Sequence, residues 1–130
     1  MTSVITSPEE ARAWLEGHDL LLCDCDGVLW RGAAAIPQVA DAIEKLRRVY
    51  GKRVLFVTNN ATKSRAQQVE KLAHTCGIAA TEDDVLSSAY AAAMWAEQRG
   101  LAGRAAYIIG QKGLADELRA VGMTVRDRHT

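Results

Sequence analysis

The chain has 130 residues, and its sixteen basic and sixteen acidic side chains leave no formal net charge. This length suits a single domain, and the neutral balance argues against a nucleic-acid partner held by bulk charge. The longest apolar run, residues 89–96, is too short to span a bilayer, so no membrane partner is expected. Residues 1–12 lack the apolar core of a secretory signal, and three cysteines, an odd number, suggest free thiols. Together these features predict a cytoplasmic protein.

The first predicted strand, residues 19–23, ends in two carboxylates. After a helix that begins near Ser7, an apolar run leads directly into Asp24, Asp26 and Gly27. Two acids one residue apart repel each other, and the repulsion costs free energy unless a cation or a proton compensates it. The crevice beyond the carboxyl ends of the strands is where open α/β sheets bind ligands. This turn is therefore the first candidate for a functional site.

The two carboxylates suit phosphoryl transfer. An aspartate at a strand end can attack a phosphoryl group, and a second one can protonate the leaving oxygen and then activate water. A divalent cation would let the carboxylate approach the anionic phosphate. A calcium loop counted from Asp24 would need Gly at position six and Glu at position twelve, but Leu29 and Ala35 stand there. Cys23 and Cys25 have no second pair, so zinc is not expected, and both are interpreted as small packing residues.

The second strand and the turn after it repeat this pattern. A helix is predicted from Pro37 to about residue 50, a strand over residues 53–58 and a helix over residues 63–76. Right-handed crossovers make successive strands parallel, so their polar ends meet at one edge of the sheet and Thr58 should lie near Asp24. The Thr58 hydroxyl and the backbone N–H groups at Asn59, Asn60 and the helix start could hold phosphate oxygens. A simpler alternative is that Asn60 or Thr62 only caps the helix.

The motifs at these two turns resemble those of a known family. The sequence Asp24-Cys25-Asp26-Gly27, extended over residues 25–32, is similar to the first motif of haloacid dehalogenase-like phosphatases. Its nearest branch comprises 4-nitrophenylphosphatase, phosphoglycolate phosphatase and pyridoxal phosphatase. Residues 56–60, with 63–65 after them, resemble the family's second motif. The resemblance implies an α/β fold built on a three-layer, Rossmann-like parallel sheet.

The resemblance also implies roles for individual residues. Asp24 would be the nucleophile and a ligand of Mg²⁺, and Asp26 the general acid and base, with its backbone carbonyl on the metal. The phosphate would be held by Thr58, Asn59 and Asn60, with help from the N–H of Gly27. Residues 28–36 would form a flap that brings Trp30 near the pocket, although Trp30 could equally be a core aromatic. Lys63 and Arg65 are interpreted as surface charges.

The rest of the chain is predicted to add a helix over residues 85–99, a third buried strand over 105–110 and a helix over 114–121. Residues 123–125 could form a fourth strand, and residues 126–130 are predicted to fray. No glycine-rich dinucleotide motif and no P-loop occurs.

Nothing after Gly110 matches the family's lysine or its later metal-binding acids. Relatives also insert a substrate-selecting cap domain about where this sequence stops. Residues 1–130 are therefore expected to be the N-terminal part of a haloacid dehalogenase-like core domain, possessing little phosphatase activity alone. The first strand would then be an exposed edge. A homodimer is conceivable for a full-length chain.

Three functions remain open at this stage. The first is a Mg²⁺-dependent hydrolase of small phosphomonoesters, with phosphoglycolate, pyridoxal phosphate and aryl phosphates all possible substrates. The second is a non-catalytic α/β module that binds phosphate or a partner through the same edge. A receiver-like phospho-acceptor domain is a third, but its acceptor aspartate would end the third strand, where Gly110 stands.

Overall fold

The computed structural model describes residues 4–128, which alternate helices with short strands. A π-helix, Leu72–Cys76, directly follows the third α-helix, and a 3₁₀-helix, Glu82–Asp84, precedes the fifth strand. In chain order the elements are α1 (Pro8–Glu16), β1 (Leu20–Asp24), β2 (Trp30–Arg31), β3 (Ala34–Ala35), α2 (Val39–Arg48), β4 (Arg53–Thr58), α3 (Arg65–Lys71), β5 (Val85–Ser87), α4 (Ser88–Gln98), β6 (Ala105–Tyr107), α5 (Lys112–Ala120) and β7 (Thr124–Arg126).

A parallel sheet in the order β1-β4-β5 lies at the centre. In its register Asp24 of β1 pairs with Val57 of β4, and Thr58 of β4 pairs with Ser87 of β5. The three strands therefore end side by side. This confirms that the two predicted polar turns lie at the same edge of a parallel sheet.

The apolar residues form two separate cores. The first surrounds β4, where Val54 and Phe56 are fully buried together with Leu29, Trp30 and Leu72. The second joins α4 and α5 to β6 and β7 through Ala93, Ala96, Ile108, Ala115, Leu118 and Val125. Strand β4, which ends at the site, is thus held in place by the first core, because its alternate side chains enter that core.

The predicted start of the helix over residues 85–99 was wrong. Residues Val85–Ser87 form β5, whose pairing with β4 satisfies their backbone groups. The helix begins only at Ser88, after Ser87 accepts a hydrogen bond from the N–H of Tyr90 at 3.1 Å and so caps it. Sheet pairing here overrides the local helical pattern, so the turn between β5 and α4 joins the edge that carries the site.

The strand predicted over residues 105–110 exists only as β6 and does not join the central sheet. It pairs in parallel with β7, which confirms the fourth strand, in a separate two-stranded sheet. Tyr107 is 66% exposed, so β6 is not the buried strand that was predicted. The prediction that residues 126–130 fray is wrong at Arg126, which pairs within β7. Residues 129 and 130 lie outside the described range.

Two helix boundaries also shift. The helix predicted from Pro37 begins at Val39, because Gln38 has the left-handed φ of 65° and breaks the first turn. The helix predicted over residues 63–76 is α3 followed by the π-helix. No helix among residues 4–128 is long and apolar enough to cross a membrane.

The prediction that β1 forms an edge is confirmed. Its single partner in the described sheet is β4, and the side chains of Leu20 and Leu22 are 44% and 64% exposed. Leu21 and Cys23 point the other way and pack against the first core. The backbone on the open side of β1 is therefore free to pair with another strand.

Candidate functional site at the carboxyl ends of the strands

Asp24 is the last residue of β1, and its side chain is exposed to solvent. One carboxylate oxygen, Oδ1, accepts a hydrogen bond of 2.8 Å from the N–H of Cys25. This contact orients the carboxylate and leaves Oδ2 as the oxygen without that backbone donor. An exposed, oriented carboxylate at a strand end has the geometry of a nucleophile that is open to a ligand.

Asp26 lies two residues on and links β1 to β4. Its Oδ1 accepts a hydrogen bond of 2.8 Å from the indole Nε1–H of Trp30, and its Oδ2 lies 3.5 Å from the Thr58 hydroxyl. That last distance is long for an O–H···O hydrogen bond, so the contact is weak. The predicted convergence of the two strand ends is thus seen between Asp26 and Thr58, while Asp24 lies beside Val57 in the strand register.

The turn after β4 is organised around Thr58, which is 2% exposed. Its hydroxyl oxygen accepts a hydrogen bond of 3.1 Å from the N–H of Asn60, and the carbonyl of Asn59 accepts one of 2.9 Å from the hydroxyl of Ser88. The Asn60 side chain accepts from both the N–H and the hydroxyl of Thr62, at 2.9 and 2.6 Å. Asn60 therefore forms a local turn and does not cap the helix. Ser64 caps α3 instead, in a capping box with Gln67.

Gly27 turns the chain away from Asp26 with a left-handed φ of 85°, which other residues rarely adopt. Its N–H donates a 2.7 Å hydrogen bond to the carbonyl of Trp30. The predicted role of this N–H in holding phosphate would therefore require that bond to break. In this arrangement Gly27 shapes the turn.

Trp30 is both a core aromatic and a residue near the candidate site, the two alternatives that the sequence left open. It is 1% exposed and belongs to the first core, yet its indole N–H reaches Asp26. The ammonium of Lys71, at the end of α3, lies 4.2 Å from the centre of the indole ring. Trp30 is thus a core residue whose polar atom lies at the site.

The interpretation of Arg65 as a surface charge was wrong. Its side chain is 18% exposed, its Nε lies 3.5 Å from Glu117 Oε2, and its guanidinium carbon lies 3.7 Å from the centre of the Tyr90 ring. Its backbone N–H donates to Glu117 Oε1 at 2.5 Å. Glu117, which is 5% exposed, therefore ties α5 to the first turn of α3.

Sequence reasoning missed Glu117 because it lies 52 residues from Arg65. One local signal was available: a cation in the first turn of a helix opposes the helix dipole, so Arg65 needed an acidic partner.

Gly113, in the first turn of α5, contacts the segment that precedes α3. Its N–H donates a 3.1 Å hydrogen bond to the carbonyl of Thr62. A Cβ built on Gly113 would lie 2.5 Å from the Cα of Lys63, which is closer than real Cβ atoms approach. The first turn of α5 thus packs directly on the backbone between Asn60 and Ser64.

The thiols near the site are kept protonated. Burial raises the pKa of Cys25 to about 12, and the negative charges of Cys23, Asp24 and Asp26 add to the effect while Lys71 opposes it. Burial, with Asp24, also raises the pKa of Cys23. Neutral thiols are poor nucleophiles and poor metal ligands, so the chemistry of this turn belongs to the carboxylates.

The donor atoms at the turn suit a hard cation. The Asp24 carboxylate and the Asp26 backbone carbonyl offer oxygen ligands, and Mg²⁺ is commonly held by one or two carboxylates together with substrate phosphate. No group of three or more His, Cys, Asp or Glu side chains among residues 4–128 could hold a metal. The protein ligands present thus fit Mg²⁺ that shares its coordination with a phosphate and with water.

A cavity of about 940 Å³ lies away from this turn. It is lined by the end of β6, the loop that follows it and one side of α5, including Tyr107, Ile109 and Lys112. The predicted site residues do not line it. Lys112 pairs with Asp116 at 2.5 Å.

Comparison with known proteins decides the family. A family model described as haloacid dehalogenase-like hydrolase matches residues 21–124, from β1 into β7. The chain belongs to this family. Its match includes every residue of the candidate site, from Asp24 to Asn60.

Curated relatives of this haloacid dehalogenase-like chain are named as phosphatases. It is 38% identical over 125 residues to 4-nitrophenylphosphatase of Schizosaccharomyces pombe, covering 95% of this chain and 41% of the relative. It is 44% identical over 124 residues to human glycerol-3-phosphate phosphatase, covering 90% and 38%. It is 35% identical over 125 residues to phosphoglycolate phosphatase 2 of Arabidopsis thaliana, covering 95% and 41%. The chain thus spans about two fifths of the length of these relatives.

Solved structures confirm the fold class. Glycerol phosphate phosphatase of Mycobacterium tuberculosis, solved in complex with magnesium, superposes with a TM-score of 0.72 and is 33% identical. The superposition covers 86% of this chain and 33% of that one. The α/β architecture with a parallel sheet is therefore that of a haloacid dehalogenase-like core, represented in part.

Proposed function

We propose that this chain supplies the nucleophile and the phosphate-binding turn of a Mg²⁺-dependent hydrolase of small phosphomonoesters. The observation that carries the proposal is the meeting of two strand ends, with Asp26 Oδ2 3.5 Å from the Thr58 hydroxyl and Asp24 next to them at the end of β1. Two carboxylates and a hydroxyl at adjoining strand ends match the demands of phosphoryl transfer. The phosphatases among its relatives support the same reaction class.

In the first step Asp24 attacks phosphorus. The Cys25 N–H holds Oδ1 of Asp24, so Oδ2 is the oxygen that forms the new O–P bond. The bond between phosphorus and the ester oxygen breaks, and that oxygen takes a proton from Asp26 as it leaves as an alcohol. The product of this half-reaction is the Asp24 acyl-phosphate.

In the second step Asp26, now a carboxylate, takes a proton from water. The water oxygen attacks phosphorus, the O–P bond to Asp24 breaks, and inorganic phosphate leaves with both aspartates restored. Throughout, the Thr58 hydroxyl and the N–H of Asn59 would hold the phosphate oxygens, since an anion is stabilised by donors aimed at it. The N–H of Asn60 would join them on releasing its bond to the Thr58 hydroxyl.

Asp24 and the backbone carbonyl of Asp26 would hold Mg²⁺, which when bound neutralises phosphate charge and lets the carboxylate approach. Their oxygen-only chemistry supports this metal over zinc. The magnesium in the related glycerol phosphate phosphatase is consistent with it.

We expect slow turnover by the 130-residue chain itself. The transferring phosphoryl group needs positive charge around it, and two of the lysines have other partners: Lys71 stacks on Trp30 and Lys112 pairs with Asp116. Phosphoglycolate, glycerol phosphate, pyridoxal phosphate and aryl phosphates remain candidate substrates. The free state of Cys23, Cys25 and Cys76 supports a reducing, cytoplasmic location.

The decisive experiment separates binding from turnover. Mg²⁺ with beryllofluoride, which mimics an aspartyl-phosphate, should bind the purified chain in a ¹⁹F NMR titration, because the mimic needs only the Asp24 carboxylate and the anion-holding turn. Asp24→Asn should abolish this binding, and Thr58→Val should weaken it at least about tenfold through the loss of one hydrogen bond to a charged group. Hydrolysis of p-nitrophenyl phosphate should stay near the background rate.

Asp19→Asn is the matched control, because Asp19 precedes β1 by one residue and lies outside the proposed site. It should bind the mimic like the unmodified chain. Absence of beryllofluoride binding would overturn the proposal. Binding of inorganic phosphate that survives Asp24→Asn would instead indicate the non-catalytic module, and rapid Mg²⁺-dependent turnover that Asp24→Asn removes would refute the expected slow rate.

A further inference from the structure

The hydrogen bond between Trp30 and Asp26 joins the hydrophobic core to the site. The indole Nε1–H donates to Asp26 Oδ1 at 2.8 Å, while Trp30 itself is 1% exposed. A buried indole N–H needs an acceptor, and a carboxylate is a stronger acceptor than a neutral group. The ring cannot move without disturbing the first core, so its N–H restrains the position of the Asp26 carboxylate.

Main-chain hydrogen bonds also hold Asp26 and Trp30 close together. The N–H of Gly27 donates to the Trp30 carbonyl at 2.7 Å, and the N–H of Leu29 donates to the Cys25 carbonyl at 2.8 Å. The segment from Cys25 to Trp30 is therefore closed by one side-chain and two main-chain hydrogen bonds. This closure restricts rotation of the Asp26 side chain.

The two oxygens of Asp26 consequently have different surroundings. Oδ1 accepts from Trp30, and Oδ2 lies towards Thr58 at 3.5 Å. Trp30 thereby holds Oδ1 and leaves Oδ2 on the side of β4 and Thr58.

Lys71 acts on the same ring. Its Nζ lies 4.2 Å from the centre of the indole, within the range of a cation–π contact. A cation over the ring draws electron density from it and makes the N–H a better donor. Lys71 ends α3, the helix that follows the phosphate-binding turn, so this contact also joins the two halves of the site.

We propose that Trp30, with Lys71 stacked on its ring, is a positioning residue that orients the Asp26 carboxyl so that Oδ2 is directed towards Thr58. This inference rests on the proposed function for its meaning in catalysis, but the orientation itself is a property of the folded chain. Nothing in the proposed mechanism requires Trp30 to touch the substrate.

The test reads the indole N–H directly. In a ¹H–¹⁵N spectrum the Trp30 indole should resonate at low field and exchange with solvent at least about a hundredfold more slowly than those of Trp14 and Trp95, which are 46% and 53% exposed. Trp30→Phe identifies the signal by its loss and keeps an aromatic ring under Lys71. Asp26→Ala should shift the signal to higher field and speed its exchange, since the acceptor is gone.

Lys71→Gln provides a second variant that leaves Trp30 and Asp26 in place. It should move the Trp30 indole signal to higher field. The matched control is Arg99→Gln, because the Arg99 guanidinium carbon lies 4.1 Å from the centre of the Trp95 ring in an equivalent stack far from any catalytic carboxylate. Arg99→Gln should move the Trp95 signal and leave that of Trp30 unchanged.

The functional part is read from beryllofluoride with Mg²⁺. Trp30→Phe should weaken this binding about tenfold while the thermal melt of the chain stays cooperative, and binding should shift the Trp30 indole signal in the unmodified protein. Unchanged affinity in Trp30→Phe would overturn the positioning role, and so would an indole signal that does not respond to Asp26→Ala. If the unmodified chain binds no beryllofluoride, the proposed function fails, while the response of the indole to Asp26→Ala and Lys71→Gln still decides whether Trp30 orients Asp26.

Discussion

Cys25 stands between the two aspartates and illustrates how the site is tuned at the level of single residues. The side chain is 2% exposed and faces the first core, whereas its neighbours on both sides face solvent. Because side chains alternate in direction along the end of β1, the Cys25 thiol lies in the core while the carboxylates of Asp24 and Asp26 face solvent at the site. A larger apolar residue would also point into the first core, but that core would have to make room for the added volume.

The raised pKa of Cys25 predicts a loss of stability at alkaline pH. The folded value is about 12 and the ordinary value is 9.0, so between these limits the unfolded chain releases the thiol proton while the folded chain retains it. Deprotonation of the unfolded state then favours unfolding, and the free energy of unfolding should fall as pH rises from about 9.0 towards 12. Urea denaturation at pH 8 and pH 10 measures the decrease.

Cys25→Ala is the comparison for that measurement. It is less stable at pH 8 because it leaves a small cavity, but its stability should decline less between the two pH values. The remaining titratable groups are common to both proteins, so their contributions cancel in the difference. Equal declines in the two proteins would show that the buried thiol contributes nothing to the alkaline transition.

The elements that carry the site were predictable where the pattern was local. The apolar run that ends at Asp24, and the similar run that ends at Thr58, each fixed a strand and its polar end. The rules of parallel crossover then brought the two ends together. What the sequence did not reveal depends on distant pairing: β5 exists because Val85 and Leu86 find partners on β4, and Glu117 meets Arg65 only in the folded chain.

The open edge of β1 is the element most exposed to wrong pairing. Leu22 is 64% exposed on this strand, and an apolar edge is a template for association. Leu22→Lys should reduce self-association, because a buried lysine would oppose any intermolecular sheet, with little change in the thermal melt. Sedimentation velocity at several concentrations measures the effect.

Val49→Lys is the matched control for the edge. Val49 is 69% exposed, a similar fraction, but it lies at the end of α2 and not on a strand. If general surface hydrophobicity drives association, the two variants should behave alike. If the strand edge drives it, only Leu22→Lys should shift the protein towards monomer.

At the scale of the whole molecule, α5, which belongs to the second core, packs on the turn that we propose binds phosphate. Gly113 packs on the Lys63 backbone, and Glu117 receives the N–H of Arg65. Both contacts join the second core to the segment between β4 and α3. The site is therefore built from one core and braced by the other.

Gly113→Ala should disturb this brace. The new Cβ would overlap the Lys63 backbone, so α5 or the turn must shift at a cost of about 1–3 kcal/mol in the free energy of unfolding, and beryllofluoride affinity should fall as well. Gly110→Ala is the control, because its Cβ would lie 3.3 Å from a flexible atom of Leu114 and the neighbour can move aside. Chemical denaturation and the ¹⁹F titration, done on both variants, compare stability with binding.

The contact between Gly113 and the turn has a thermodynamic counterpart. If an anion orders the turn between Asn60 and Ser64, it also favours the docked position of α5, and by reciprocity whatever holds α5 in place strengthens anion affinity by the same factor. Strand β7, which pairs with β6 and contributes Val125 to the packing of α5, is thus expected to influence anion affinity at a distance from the proposed site.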